Sequence, residues 1–274
     1  ERDFDKDTPK LLEYLFNGGT NKAKIKKMCH HGLSLIDQLY DCSDFRIEIF
    51  TRILYSYKKV IGKEVEDLIT KTLFRFPFLD QSHHAMCTWT ENHQLIIYVS
   101  EYLLGNMYPN KKFHKGILGK DLAKIAYIRL NEWCDAIYRF GFSEFGSANY
   151  YPETLGALGN IIEFSKDKKL TDKFKIVLDL LVYDIFSSTT PDLTYNKATA
   201  RAYVDNKINY YNYLKPHISA LLGKTIKVNH EREACFFLMI KSKKYQLPKV
   251  FLDIFNTKEK ELKESNGLNS PEYK

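Results

Sequence analysis

Cysteine is sparse and scattered in this 274-residue chain: Cys29, Cys42, Cys87, Cys134 and Cys235 include no C-x-x-C pair. That spacing excludes a zinc ribbon and a dithiol redox motif. An odd count leaves at least one thiol free unless it pairs between chains. The set reads as buried reduced thiols, which favours a reducing compartment without excluding export. No run approaches the ~18 apolar residues of a membrane span, and no signal-peptide pattern is visible. The chain opens at Glu1 instead of methionine, which reads as a processed or cut form whose targeting segment could already be gone. No glycine-rich phosphate loop, G-x-S-x-G elbow or locally supported Cys–His pair occurs. Alternating strand patterns and a recognisable repeat are also missing.

What remains is a basic, aromatic, helical sequence. Its 41 basic and 34 acidic residues give a formal net charge of +7, which mildly favours a polyanionic partner. The local concentrations of lysine at 22–27 and 111–120 read as solvated helix faces and not as an arm that grips nucleic acid. Neither nucleic acid nor membrane is therefore expected as a partner. A hydrophobic content of 44% over this length suffices for one large core or two modest ones. The 19 tyrosines and 18 phenylalanines suit carbohydrate or protein contact, although a Lys-, Asn-, Ile- and Tyr-rich proteome gives the same bias.

The apolar period is helical almost throughout. It predicts helices over 22–40, 44–60, 63–74, 91–104, 120–140, 152–164 and 170–186, with Gly105 as the glycine that ends the fourth and Pro152 in the first turn of the sixth. The signal then weakens: 205–214 and 231–241 read as helices and 224–229 as extended. The expected class is all-α, built from antiparallel helical hairpins, with one domain over 1–255 and a polar, frayed tail over 256–274. If consecutive helices run antiparallel, the connections 77–90, 141–151 and 187–204 share one rim. They are the long, polar, aromatic-rich connections, and sites are built where such loops gather on a rigid scaffold.

Two stretches on that rim carry the chemistry: Trp89-Thr90-Glu91-Asn92-His93-Gln94, and Gly141-Phe142-Ser143-Glu144-Phe145-Gly146-Ser147-Ala148-Asn149-Tyr150-Tyr151. Thr88 and Glu91 fit a capping box. Thr90 is the alternative N-cap, and it would put His93 in the first helical turn, where a neutral imidazole can act as a base. The plainer reading has His93 satisfying a loop carbonyl. Asn92 either bonds the same loop or donates to a substrate carboxylate or hydroxyl. Trp89 is a core plug or a platform for a sugar ring. Tyr150 and Tyr151, extended ahead of Pro152, would point to opposite sides, one to the core and one to the rim. Arg201 supplies a cation for a tyrosine or a bidentate carboxylate clamp, or is a surface arginine, with Tyr203 beside it. Glu91 and Glu144 could alternatively form the acid pair of a glycoside hydrolase. His83, His84 and His93 lack the spacing of a metal site, so neither metal nor cofactor is expected.

Glu91-Asn92-His93-Gln94 at the head of a helix, Gly141-Phe142-Ser143-Glu144 with Tyr150-Tyr151, and Arg201-Ala202-Tyr203 resemble the toroidal (α/α) domain of the polysaccharide lyases, the group of alginate lyase, heparinase II/III and chondroitin AC lyase. The resemblance covers roughly 89–203. It implies β-elimination on an acidic, uronate-containing polysaccharide or oligosaccharide. Asn92 would neutralise the uronate carboxylate and His93 would take the C5 proton. Tyr150 or Tyr151 would serve as acid or base, and Arg201 would assist. Trp89, Glu91, Glu144 and Tyr203 would line the substrate. The chain is short for a complete six-hairpin toroid and shows none of the β-sheet domains that usually follow, so an incomplete toroid and a missing domain or larger chain are expected. The competing reading is a non-catalytic α-helical binding module with an apolar groove.

Overall fold

A computed structural model describes residues 7–80, 85–197, 199–200, 213–224, 235–236, 239–240 and 243–257. Among these the chain is all-α, with nine helices and no strand. They are α1 (Asp7–Phe16), α2 (Lys22–Asp37), α3 (Ser43–Arg75), α4 (Glu91–Met107), α5 (Gly119–Phe140), α6 (Tyr151–Phe164), α7 (Lys168–Ser187), α8 (Lys215–Leu221) and α9 (Lys249–Asn256). By internal contacts the chain divides into two compact units: Glu1–Leu130 with Asn229–Cys235, and Asn131–Val228 with Phe236–Lys274.

In the first unit α1, α2, α3 and α4 pack on one another. Helix α2 starts at Asn21, whose side chain accepts the Lys24 N–H at 3.0 Å, and it buries Ile25, Cys29, Leu33 and Ile36 along one stripe. It ends at Asp37, short of the expected Tyr40. Leu39 takes a left-handed φ of 51°, and the Tyr40 N–H bonds the Leu35 carbonyl at 2.9 Å, which closes the helix end. The two helices expected over 44–60 and 63–74 form one run, α3, broken at Gly62. There φ is 74° and ψ is 173°, a conformation that costs a glycine little. The core includes Leu11, Leu12, Phe50, Ile53, Leu73, Leu95 and Leu104, all fully buried. Each such side chain contributes about 1.5–3 kcal/mol by leaving water.

Gly105 does not end α4, which runs on to Met107. A Cβ on Gly105 would stand 2.4 Å from the Gly119 carbonyl oxygen and 2.8 Å from the Ala123 nitrogen. The glycine therefore lets the start of α5 lie against α4, and its role is close approach and not termination.

In the second unit α6 and α7 pack together and α9 packs on α7. Helix α6 is buried all round from Tyr151 to Ile162, as a central helix must be. Helix α7 is capped by Asp167, whose carboxylate accepts the Leu170 N–H at 2.9 Å. It buries Val177, Leu178, Leu181, Val182, Ile185 and Phe186. Trp133 stacks on Phe174, and Phe186 meets Phe255. The periodicity missed α1, α8 and α9, all short. The expected helices over 205–214 and 231–241, the extended 224–229 and the tail lie largely outside the described residues.

Candidate functional site

Two buried polar networks, one in each unit, hold three of the residues that the sequence singled out: Asn92 and His93 in the first, Tyr151 in the second. The first is built from the opening turns of α3 and α4. Cys42, the N-cap of α3, is left-handed, with φ 59°. The next residue is tied down twice: the Ser43 N–H bonds the Ala85 carbonyl at 3.0 Å, and the Ser43 hydroxyl bonds the Tyr40 carbonyl at 2.6 Å. Asp44 follows in the first turn, where free backbone N–H groups favour a carboxylate. Arg46 donates to the carbonyls of Asp41 and Cys42, which holds the entry to α3 in place.

Helix α4 begins after Thr90, the alternative N-cap and not Thr88. Thr90 is extended, with φ −113° and ψ 148°. The capping box is not formed: Thr88 instead offers its carbonyl to the Gln94 side chain at 2.8 Å. The Thr90 hydroxyl lies 2.9 Å from Asn92 Oδ1 and 3.2 Å from the Cys87 carbonyl, and it can donate to one at a time. His93 is thus the third helical residue. It bonds no loop carbonyl through Nδ1, which meets Asp44 Oδ2 instead. Its ring stacks on Phe45, with centroids 4.9 Å apart and planes 17° apart. Against a carboxylate Nδ1 is the donor, and in the neutral ring Nε2 is then the accepting nitrogen.

Burial is deep at this site. Asp44 and Asn92 are fully buried, His93 keeps 2% exposure and Glu91 8%. Asp44 Oδ1 has no hydrogen-bond partner among the described residues. The neighbouring Cys42 thiol is pushed well above its ordinary range, first by burial and then by the Asp44 and Asp41 carboxylates. Trp89 stands apart, 70% exposed. It plugs no core.

The second network joins the loop before α6 to α7. The Tyr150–Tyr151 pair is not extended: Tyr150 has φ −107° and ψ −14°, and Tyr151 is already helical. The Tyr151 N–H bonds the Ser147 carbonyl at 3.1 Å, so the helical turn starts ahead of Pro152. Tyr151 faces the core, with 1% exposure, while Tyr150 is half-buried. The Tyr151 hydroxyl donates to Asp184 Oδ2 and accepts the Gly146 N–H. Lys197 bonds the other Asp184 oxygen at 2.6 Å and lies over the Phe145 ring at 4.6 Å. Burial first, then the Asp184 carboxylate, raises Tyr151 well above the usual phenol range. With both its donor and its acceptor engaged, this hydroxyl acts as a latch. Thr199 and Ala200 also bond the Phe145 carbonyl, so the 141–151 and 188–200 connections meet within this unit. The cation beside the tyrosine is Lys197. Arg201 and Tyr203 lie outside the described residues.

Glu91 belongs to the first unit and Glu144 to the second, and both are buried. Among the described residues no group of three His, Cys, Asp or Glu side chains is placed to hold a metal ion, while His83 and His84 lie outside them. No described helix is long and apolar enough to cross a membrane. Sequence reasoning gave no role to Asp44, Asp184 or Lys197. Asp44 entered only as the first residue of the helix expected over 44–60, and nothing local marked the other two. No protein-family model, no curated protein and no solved structure matches the chain.

Proposed function

We propose that the chain is a carbohydrate-active enzyme of the lyase type, working by β-elimination on an acidic, uronate-containing polysaccharide, on a scaffold of helical hairpins that forms an incomplete (α/α) toroid. One observation carries the reading: the Asp44–His93 pair, in which a buried carboxylate fixes the tautomer and direction of a histidine at the head of a helix. Structural ion pairs also occur in cores, but burying two such groups costs several kcal/mol before their attraction is counted. Buried carboxylate–histidine pairs of this kind recur at functional sites.

In this mechanism substrate binding uncovers the head of α4, and the Asn92 amide N–H, buried in the unliganded chain with its Oδ1 turned to Thr90, then donates to the uronate carboxylate. That contact withdraws charge and acidifies the C5 proton. His93 Nε2 takes the proton, the electron pair forms the C4–C5 double bond, and the bond from C4 to the leaving oxygen breaks. The imidazolium, stabilised by Asp44, returns its proton to that oxygen. Asp44 is a positioning residue. The exposed Trp89 indole supplies a face on which a neighbouring sugar stacks.

The test is incubation with a panel of uronate polymers, following the ultraviolet absorbance of the unsaturated product. His93→Gln should abolish the signal. Asp44→Asn should lower kcat by about 10²–10⁴-fold with little change in KM. Equal rates for wild type and His93→Gln, or no product from any polymer, would end the lyase reading.

A further inference from the structure

We infer that the first unit carries a separate small-molecule site, for an aryl or short-chain carboxylate, between the end of α3 and the turn that precedes α5. It goes beyond the lyase reading and uses none of its residues. Phe76, Phe78, Phe113 and Leu122 line a cavity of about 260 Å³. Phe76 and Phe78 meet edge to face at 5.0 Å, and Phe78 meets Phe113 at 6.3 Å, so the wall is a cluster of fixed rings. A cavity of about 150 Å³ holds benzene, so this one takes a six-membered ring and a short tail.

The mouth sets the charge of the ligand. Lys115 Nζ reaches Asp80 Oδ2 at 3.2 Å, both residues lining the cavity, with the two side chains 72% and 32% exposed. An exposed pair of that length is weak, and a ligand carboxylate can replace Asp80 as the partner of Lys115. His114 borders the opening as well, and Lys111 and Lys112 are exposed on the same turn. Asp80 is the one carboxylate among the described lining residues, so positive charge is in excess.

The mouth is also preformed. Lys115 and Gly116 are both left-handed, at φ 55° and 78°. The Phe113 N–H bonds the Ile117 carbonyl at 2.8 Å, and Gly116 closes back on Phe113 at 2.9 Å. Lys112 and Leu118 pair as an antiparallel bridge.

Calorimetric titration of the whole chain with 3-phenylpropionate, 3-phenylpropan-1-ol and 3-phenylpropylamine tests the assignment. The carboxylate should bind saturably at millimolar concentration or below, and about tenfold more tightly than the alcohol or the amine. Lys115→Glu, on an exposed turn, should remove that preference, and Ile117→Trp should block all three ligands. Binding of the amine or alcohol as tight as the carboxylate would overturn the proposal. So would the absence of saturable binding, or an unchanged preference in Lys115→Glu. Should Ile117→Trp fail to fold, the Lys115→Glu comparison decides.

Discussion

Glu101 sits on α4, two turns beyond His93, and is fully buried. Among the described residues its charged partner is Arg129, whose Nη1 lies 3.4 and 3.5 Å from its two oxygens. Burial therefore outweighs the guanidinium and pushes the carboxyl from its ordinary 4.5 up to about 8. In the folded chain the proton stays on; in the unfolded chain it leaves near the ordinary value. Stability from this group is thus complete at acid pH. It falls as pH rises above 4.5, and the fall levels off once pH passes about 8. The slope is about 1.4 kcal/mol per pH unit, and the full shift corresponds to roughly 5 kcal/mol. Set against a total stability of about 5–15 kcal/mol, that loss decides whether α4 stays docked at alkaline pH. Glu101→Gln cannot titrate. It should lie within about 1 kcal/mol of wild type near pH 5 and exceed it by several kcal/mol near pH 9. Urea unfolding followed by far-ultraviolet circular dichroism across that range measures the difference, and groups that titrate in both proteins cancel. Parallel pH profiles for the two proteins would refute the reasoning. Lyase assays belong below pH 8 for the same reason.

Three further substitutions test the packing and the site. Gly105→Ala should destabilise by about 1–3 kcal/mol, because the new Cβ meets backbone at 2.4 Å; a thermal melt unchanged from wild type would show that α4 and α5 can part at no cost. Tyr151→Phe strands the Gly146 N–H and one Asp184 oxygen in the core and should cost about 1–3 kcal/mol in chemical unfolding. Trp89→Ala, at an exposed position, should leave stability within about 0.5 kcal/mol and weaken polymer binding in affinity electrophoresis. Equal retardation of variant and wild type would remove the stacking platform.

The helices were legible because their signal is local. Burial at Ile25, Leu33 and Ile36 repeats within a few residues, and the chain cannot hide that period. The boundary between 44–60 and 63–74 was legible for the same reason, and only the backbone shows that the two form one run interrupted at Gly62. Gly105 misled because a glycine that ends a helix and a glycine that admits a neighbouring backbone are the same letter. The difference lies at Gly119, on another helix. Thr88 and Glu91 misled in a similar way, since the capping box needs only spacing, whereas the fold gave the cap position to Thr90.

Polar pairing follows a different logic. His93 finds Asp44 across 49 residues of sequence, and Tyr151 finds Asp184 across 33. A buried donor must have an acceptor, so the sequence announces that His93 needs a partner without saying which of many acids supplies it. The apolar pattern resolves that question only once it is folded: α3 packs on α4 and α6 on α7, and each packing brings one acid to one donor. For Lys197 the pattern helps less, because the lysine lies in a loop placed by the Thr189–Tyr195 bridge and by the Thr199 and Ala200 bonds to Phe145. The chemistry-bearing residues of this chain were therefore half readable. The groups that stand at helix heads could be named from spacing, whereas those that orient or neutralise them came from elements whose adjacency is decided by the hydrophobic core.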